Sequence, residues 1–275
     1  MLSFVLVAAV SVAAADDEKP KDLVEKAQAA LTTGRHQEAI ALATKAIQLE
    51  PTNARAQLIL GSALEALGKH TEAIAAFTKC IALDPKMADA YDHRGSEYFK
   101  LGKIDKSLAD FDRFLELNPK ARPAHWKRGI ALYYAGKYAD GAKQFKAGDK
   151  VFADDVENAV WHYICNAHVI GADKARDAIL KIGKDKRVPL MVVYDLFKGK
   201  AKPEDVLKAA KEGKPTDQEL KERLFYAHLY LGLYYESAGD KKRTLEHMTK
   251  AAEEYKLGGY MWDVARVHLE RLRKK

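Results

Sequence analysis

The chain has 275 residues, 48% of them apolar, and a formal net charge of +7. That length allows one large domain or two small ones, and the apolar fraction supports a packed core. The basic excess is local: residues 120–150 carry 8 Lys/Arg against 2 Asp/Glu, whereas residues 20–119 carry 13 against 14, which argues against nucleic acid and for a localised acidic surface on a protein partner.

Residues Met1 to Ala15 carry no charged side chain and end Ala13-Ala14-Ala15, just before Asp16-Asp17-Glu18. An apolar run closed by such a triplet reads as a secretory signal peptide cut after Ala15, although it lacks the usual basic residue near its start. It is too short to span a bilayer, which takes ~20 residues. No cysteine precedes Cys80, so no lipidation site lies beside it. The expectation is an exported, periplasmic and soluble protein with no transmembrane anchor in the mature chain.

From residue 20 the chain keeps a clock. Gly34, Gly68, Gly102 and Gly136 recur every 34 residues, and so do Gly61, Gly95 and Gly129, Phe77, Phe111 and Phe145, and Pro51, Pro85 and Pro119. A 34-residue period resembles the tetratricopeptide repeat, a helix–turn–helix unit that stacks into a solenoid. In that register the repeats are 20–53, 54–87, 88–121 and 122–155. The first glycine series ends helix A in a left-handed conformation. The second lies inside helix A, where glycine costs ~1 kcal/mol relative to alanine. A repeated cost needs a repeated reason, and close approach of helix B, with its small Ala39, Ala73, Ser107 and Gly141, supplies one. The phenylalanines fill the space between repeats, and the prolines stop helix B. The first repeat is degraded, with Lys26-Ala27 where later repeats have a glycine, as terminal repeats often are. Ala153 stands where the fourth repeat should close with proline. Cys80 and Cys165 lie about two and a half repeats apart, and both are expected to be buried free thiols.

Beyond 155 the spacing fails but the helical period persists. Val156 to Ile170 and Lys174 to Ile182 are expected to form a fifth, irregular pair. Pro189 opens a short helix, Leu190 to Phe197, and Pro203-Glu204-Asp205 opens another, with acids beside its positive end. The segment 156–215 is therefore an irregular helical stretch. Segment 216–275 holds a late repeat, in which Leu231-Gly232, Tyr235, Gly239 and Ala251 fall on the template. Gly258-Gly259 breaks the chain, and a final helix, Tyr260 to Arg271, should cap the stack. No strand signal is present. The fold expected is all-α: a right-handed, continuous tetratricopeptide-type α-solenoid with irregular C-terminal helices. A flexible boundary near 155 is the alternative.

The later half supports a narrower resemblance. Arg128-Gly-Ile-Ala-Leu-Tyr-Tyr-Ala-Gly-Lys-Tyr138, Ala159-Val-Trp-His-Tyr163, Tyr194-Asp-Leu-Phe-Lys-Gly199, Leu231-Gly-Leu-Tyr-Tyr-Glu-Ser-Ala-Gly-Asp240 and Val264-Ala-Arg-Val-His-Leu-Glu-Arg271 follow one another in an order and spacing that resembles the bacterial NlpI-type tetratricopeptide-repeat lipoproteins, over roughly residues 20–272. Such proteins are envelope scaffolds. The resemblance implies a homodimer that binds peptidoglycan hydrolases and presents an endopeptidase to a periplasmic protease. The lipid-bearing cysteine of that family is missing here, which suggests a soluble version.

In such a stack the A helices line a concave groove. By register, repeat two presents Arg55, Leu58, Ser62 and Glu65. Repeat three presents Asp89, Asp92, His93, Ser96, Phe99 and Lys100, and repeat four presents Trp126, Lys127, Ile130, Tyr133 and Tyr134. The expected partner-binding set is Arg55, Asp89, Asp92, His93, Lys100, Trp126, Lys127, Tyr133 and Tyr134. Aromatics beside basic residues make repeat four the candidate hot spot, unless those aromatics pack against the helices that follow. The carboxylate clamp of chaperone-binding repeats resembles nothing here, because Val24, Gln28, Ile59, Asp89 and His93 hold its positions.

No catalytic, metal or cofactor site is expected. His162-x-x-Cys165-x-x-His168 would put its ends on different faces of a helix. Gly68-Lys69-His70-Thr71 lacks the remaining glycine, the Ser/Thr directly after the lysine and the preceding strand of a phosphate loop. The leading reading is a non-enzymatic exported adaptor or scaffold. The alternative is an assembly factor for pilus, secretion or other multiprotein machinery.

Overall fold

The computed structural model describes residues 18–274, so the expected signal peptide lies outside the described residues. Helices pair in chain order: α1 (Pro20–Thr32) with α2 (His36–Leu49), α3 (Ala54–Ala66) with α4 (His70–Leu83), α5 (Ala88–Lys100) with α6 (Ile104–Leu117), and α7 (Trp126–Tyr134) with α8 (Tyr138–Ala147). Each B helix also packs on the next A helix, so the pairs stack as an α-solenoid. No strand occurs among the described residues.

Gly68 has φ +69°, a left-handed conformation that glycine adopts without penalty. It turns the chain so that the Lys69 N–H reaches the Leu64 carbonyl at 2.9 Å, satisfying a group the helix end would otherwise leave bare. The B helices stop at Leu49, Leu83 and Leu117, two residues before Pro51, Pro85 and Pro119.

The interior glycines have a sharper reason than close helix approach. A Cβ on Gly61 would lie 2.5 Å from the Phe77 ring, one on Gly95 2.8 Å from Phe111, and one on Gly129 2.6 Å from Phe145. Helix A gives up its side chain so that the ring of its own helix B can lie on its backbone. In the late repeat Gly232 does the same for Met248, at 2.8 Å. In repeat one the two positions hold Ala27 and Ala43, both fully buried, so the space is divided between the helices. The small residue of helix B in repeat four, Gly141, makes room for Cys165 Sγ instead. Both cysteines are buried and unpaired with each other.

The later half departs from the register. A 3₁₀ turn, Pro119–Ala124, shortens the A helix of repeat four. Then follow α9 (Val156–Ile170), α10 (Ala172–Asp177), α11 (Leu190–Phe197), α12 (Pro203–Lys211), α13 (Asp217–Ser237), α14 (Lys241–Thr249) with a π turn at Lys250–Glu254, and α15 (Tyr260–Arg273). The helix expected at Lys174 to Ile182 is corrected: α10 ends at Asp177. Tertiary bonds take over the backbone there, with Gly183 N–H donating to Ala153 O (2.8 Å) and Lys184 N–H to Asp154 Oδ1 (3.1 Å). Asp185 Oδ2 accepts from Val156 N–H, at the start of α9. One hydrophobic core joins residues from Phe99 to Leu269, on both sides of residue 155, whereas repeats one and two hold only small alanine-rich clusters.

The last helix does more than cap the stack. After Gly258-Gly259 it turns back, and α15 packs on α14, the π turn and α5, with Tyr260 stacked on Phe99 at 5.2 Å.

Gly61→Ala should destabilise the fold by about 1–3 kcal/mol through overpacking, although alanine is the better helix former by ~1 kcal/mol. Gly68→Ala should cost about 1–2 kcal/mol through backbone strain alone. Urea denaturation of the double variants separates the two causes: adding Phe77→Leu should narrow the deficit of Gly61→Ala relative to Phe77→Leu alone, and leave that of Gly68→Ala unchanged.

Candidate functional site

Helices α3, α5 and α7 are the A helices of repeats two to four, and charged side chains one repeat apart tie them together. Glu65 of α3 meets His93 of α5, with Oε2 2.7 Å from Nδ1, and accepts from Lys100 Nζ at 3.0 Å. Asp92 of α5 lies 2.9 Å from His125 Nε2 and accepts from Lys127 Nζ of α7 at 2.6 Å. Between them Glu97, fully buried, takes His70 Nδ1 at 2.7 Å and Lys100 Nζ.

Burial alone would raise the Glu65 carboxyl, but His93 and Lys100 outweigh it and hold the group at about 2. Burial likewise works against the Asp92 carboxylate, and His125 with Lys127 pulls it well below the usual range. Glu97 goes the other way: burial raises it more than Lys100 lowers it. Burial pulls the His93 imidazole down, and Glu65 more than offsets this, so it sits above its ordinary value.

The predicted site residues separate into three groups. Arg55 and Asp89 are exposed, and Arg55 donates to Gln28 Oε1 at 2.9 Å. Asp92, His93, Lys100 and Lys127 form the half-buried ladder. Trp126, Tyr133 and Tyr134 are covered by the chain's own later helices. Trp126 meets Tyr260 edge-on at 5.1 Å. Tyr133 is 3% exposed and donates to Glu236 of α13, and Tyr134 is 4% exposed with its hydroxyl 3.0 Å from His268 Nδ1 of α15. Arg271 donates to the Tyr134 carbonyl at 2.8 Å. Leu58, Phe99 and Ile130, also placed on the groove by register, are buried. The aromatics of repeat four therefore have the packing role that was the alternative to a hot spot, and the basic residues beside them have intramolecular partners: Lys127 has Asp92, and Arg128 has Asp112 at 2.6 Å.

The A helices of repeats one to three lie side by side, and α15 packs against α5 at the end of that row. At that end lies a cavity of about 540 Å³, walled on one side by Glu65, His70, Lys100 and Lys127 and on the other by Tyr260 and Asp263. Sequence reasoning missed His70, Glu97 and His125 as members of the ladder, and the whole contribution of α15. A signal for the ladder existed: Glu65 and Lys100, like Asp92 and Lys127, are opposite charges separated by 35 residues, one repeat plus one. Nothing local in the sequence announces where α15 lands. Elsewhere, Cys165 packs on Gly141 and His168 stacks on Tyr138 at 4.0 Å, both against α8, while His162 Nε2 lies 3.0 Å from Asn166 Nδ2. Among the described residues no group of three or more His, Cys, Asp or Glu could hold a metal ion, and no helix is long and apolar enough to cross a membrane.

The raised His93 value sets a pH dependence. Its stabilisation is complete below the unfolded value of about 6.5 and is lost as pH rises through the folded value. Urea titrations should therefore show wild type exceeding His93→Gln by a larger margin at about pH 5.5 than at about pH 9. An equal margin at both would mean that the pair contributes no charge-dependent stability.

Residues 24–88 and 94–150 match the family model for the tetratricopeptide repeat. Among solved structures, the chain is similar to a tetratricopeptide repeat protein from Parabacteroides merdae, at 19% identity over 91% of this chain and 98% of that one, with a TM-score of 0.58. It is also similar to YrrB, described as a TPR protein with an unusual peptide-binding site (21% identity, 59% of this chain, 87% of that one, TM-score 0.53). A third similarity is to the first TPR of Spaghetti (RPAP3) bound to an HSP90 peptide (32% identity, 38% of this chain, 82% of that one, TM-score 0.36). No curated protein matches the sequence. With 34-residue repeats, paired helices stacked in register and a family match over residues 24–88 and 94–150, the first part of the chain is built of tetratricopeptide repeats.

Proposed function

We propose that this protein is a non-enzymatic, exported adaptor of the bacterial cell envelope that holds a segment of another protein along its concave face. Tetratricopeptide repeats mediate protein–protein interaction, and solenoids of this kind use their concave surface for it. The observation that carries the reading is the half-closed groove. Repeats one to three leave it open and line it with charged groups already fixed in position, while α15 closes it at repeat four. Pre-set polar side chains cost a partner little ordering entropy. An extended segment lying along α1, α3 and α5 would meet Gln28, Arg55 and Asp89 first and the Glu65–Lys100 pair last.

The resemblance to NlpI-type proteins supports the finer assignment: a homodimer that brings peptidoglycan hydrolases to a periplasmic protease. The uncharged start closed by Ala13-Ala14-Ala15 supports export.

Two measurements test this. N-terminal sequencing of the protein from its native cells should begin at Asp16; an intact Met1 would remove the export reading. Affinity purification from envelope extracts, followed by mass spectrometry, should recover a cell-wall hydrolase or a protease. The double variant Arg55→Glu/Asp89→Lys alters two exposed groove residues and should keep its circular dichroism spectrum while losing about tenfold or more in capture. Lys143→Glu, on the exposed side of α8, should capture as wild type does. Equal capture by all three proteins would refute the groove.

A further inference from the structure

In the late repeat, α13 and α14 meet through two buried imidazoles. His228 of α13 and His247 of α14 are 4% and 8% exposed, and their Nδ1 atoms lie 2.8 Å apart. Each ring also stacks on a tyrosine: His228 on Tyr255, just after the π turn, and His247 on Tyr235 of α13, both at 5.3 Å. The contact matters to α14 because the residues that helix buries are Thr244, His247 and Met248. Helix α15 rests on α14 and the π turn in its own right. Its Trp262 indole donates to the Ala252 carbonyl of the π turn at 2.9 Å, and its Arg273 pairs with Glu253 there at 2.8 Å. The same helix carries Tyr260 and Asp263 to one wall of the cavity of about 540 Å³.

Two imidazoles that face each other nitrogen to nitrogen share one proton: one Nδ1–H donates and the other Nδ1 accepts. A proton added at Nε2 of the donor keeps the bond but places a cation inside the fold. A proton added to the acceptor as well sets N–H against N–H and forces the rings apart. The surroundings oppose even the first charge. Lys211 at the end of α12, Arg243 of α14 and Lys250 at the start of the π turn are cations acting on the pair, and Glu246 is the carboxylate acting on it. Glu246 already accepts from Lys250 at 2.9 Å. The two stacked tyrosines bring phenols, and burial together with Glu254 pushes that of Tyr255 up to about 12. Burial, the facing imidazole and Lys250 pull His228 down to about 3, and burial pulls His247 down as well.

We propose that the His228–His247 pair is an acid-released latch: when the medium acidifies it lets α14 and the π turn come away from α13, and α15 loses the support they give it. Closed, the pair resists protons that the opened rings accept. The closed state is therefore fully favoured above the ordinary imidazole value of about 6.5 and loses ground as pH falls below it, toward about 3 for His228. The early helices respond in the opposite sense, because His93 of α5 sits above its ordinary value and holds its proton more tightly when folded. Acid thus loosens the late repeat while the His93 contact holds. The wall that Tyr260 and Asp263 build moves with α15, so the latch controls how closed that end of the cavity is. It does so whatever partner the protein holds.

Hydrogen exchange on the full chain, corrected for the intrinsic rate, tests the latch. Between about pH 7.5 and about pH 5.0 the amides of α14 should lose on the order of 30-fold in protection, the factor that one imidazole of ordinary value imposes once it is open. The Trp262 indole N–H, assigned with Trp262→Phe, should lose protection with them, since its acceptor is in the π turn. His228→Phe/His247→Met replaces both rings with apolar side chains, and its α14 should change by less than about threefold over the same range. Equal protection of wild-type α14 at both pH values overturns the latch. So does the same loss in the double variant, which would place the acid effect on other groups. A Trp262 indole that stays protected while α14 opens overturns the link to α15. If the double variant does not fold, the imidazole ¹⁵N signals of the wild type decide. At most one of the two rings should be charged while α14 is still protected at about pH 5.0, and two charged rings there overturn the proposal.

Discussion

The ring of Phe77 lies where the side chain of residue 61 would be, and the same vacancy recurs at Gly95 and Gly129. That contact decides how near the two helices of a repeat come, and so how the next pair sits on them. It also explains why a residue that weakens an isolated helix is placed in the middle of one. The cost is local and the gain is in packing: each ring is buried completely or nearly so. Met248 on Gly232 shows that the device needs a bulky side chain on a bare backbone rather than an aromatic ring as such. The groove inherits its spacing from this contact, because α3, α5 and α7 are the helices that carry the glycines.

The regular part of the fold was legible because its reasons are local. A left-handed turn needs glycine at Gly34 and Gly68, a helix stop needs proline at Pro51 and Pro85, and a fixed period links them. The sequence pattern also placed Asp92, His93, Lys100 and Lys127 on one face. It could not place Tyr133 and Tyr134, since residues more than a hundred positions away cover them: Glu236, Val264 and His268. Nor could it anticipate that 178–188 would leave the helix, because bonds holding that segment come from Ala153 and Asp154, across the fold. What was missed is long-range, and periodicity carries no record of it.

The ladder from His70 to Lys127 joins structure to recognition. Charges buried this far are costly unless paired, and here each carboxylate takes two cationic or imidazole partners: Glu65 and Asp92 both of theirs from the next repeat, Glu97 one from the preceding repeat and one from its own helix. The pairing fixes the side chains in position while leaving their outer edges toward the groove. In the proposed adaptor role, a partner would meet a surface whose polar pattern is set before it arrives, with α15 marking where that pattern ends.

The return of α15 onto α5 also divides the molecule mechanically. Stacked repeats behave as a spring, since each coil touches only its neighbours. Here the last helix reaches back to the third coil, and Arg266 grips the backbone of Lys100, so the later coils form a closed clasp with a common core. Elastic compliance is left to repeats one and two, whose buried clusters lie outside that common core. A load pulling on a bound segment would thus unwind the open end first and leave the clasp shut.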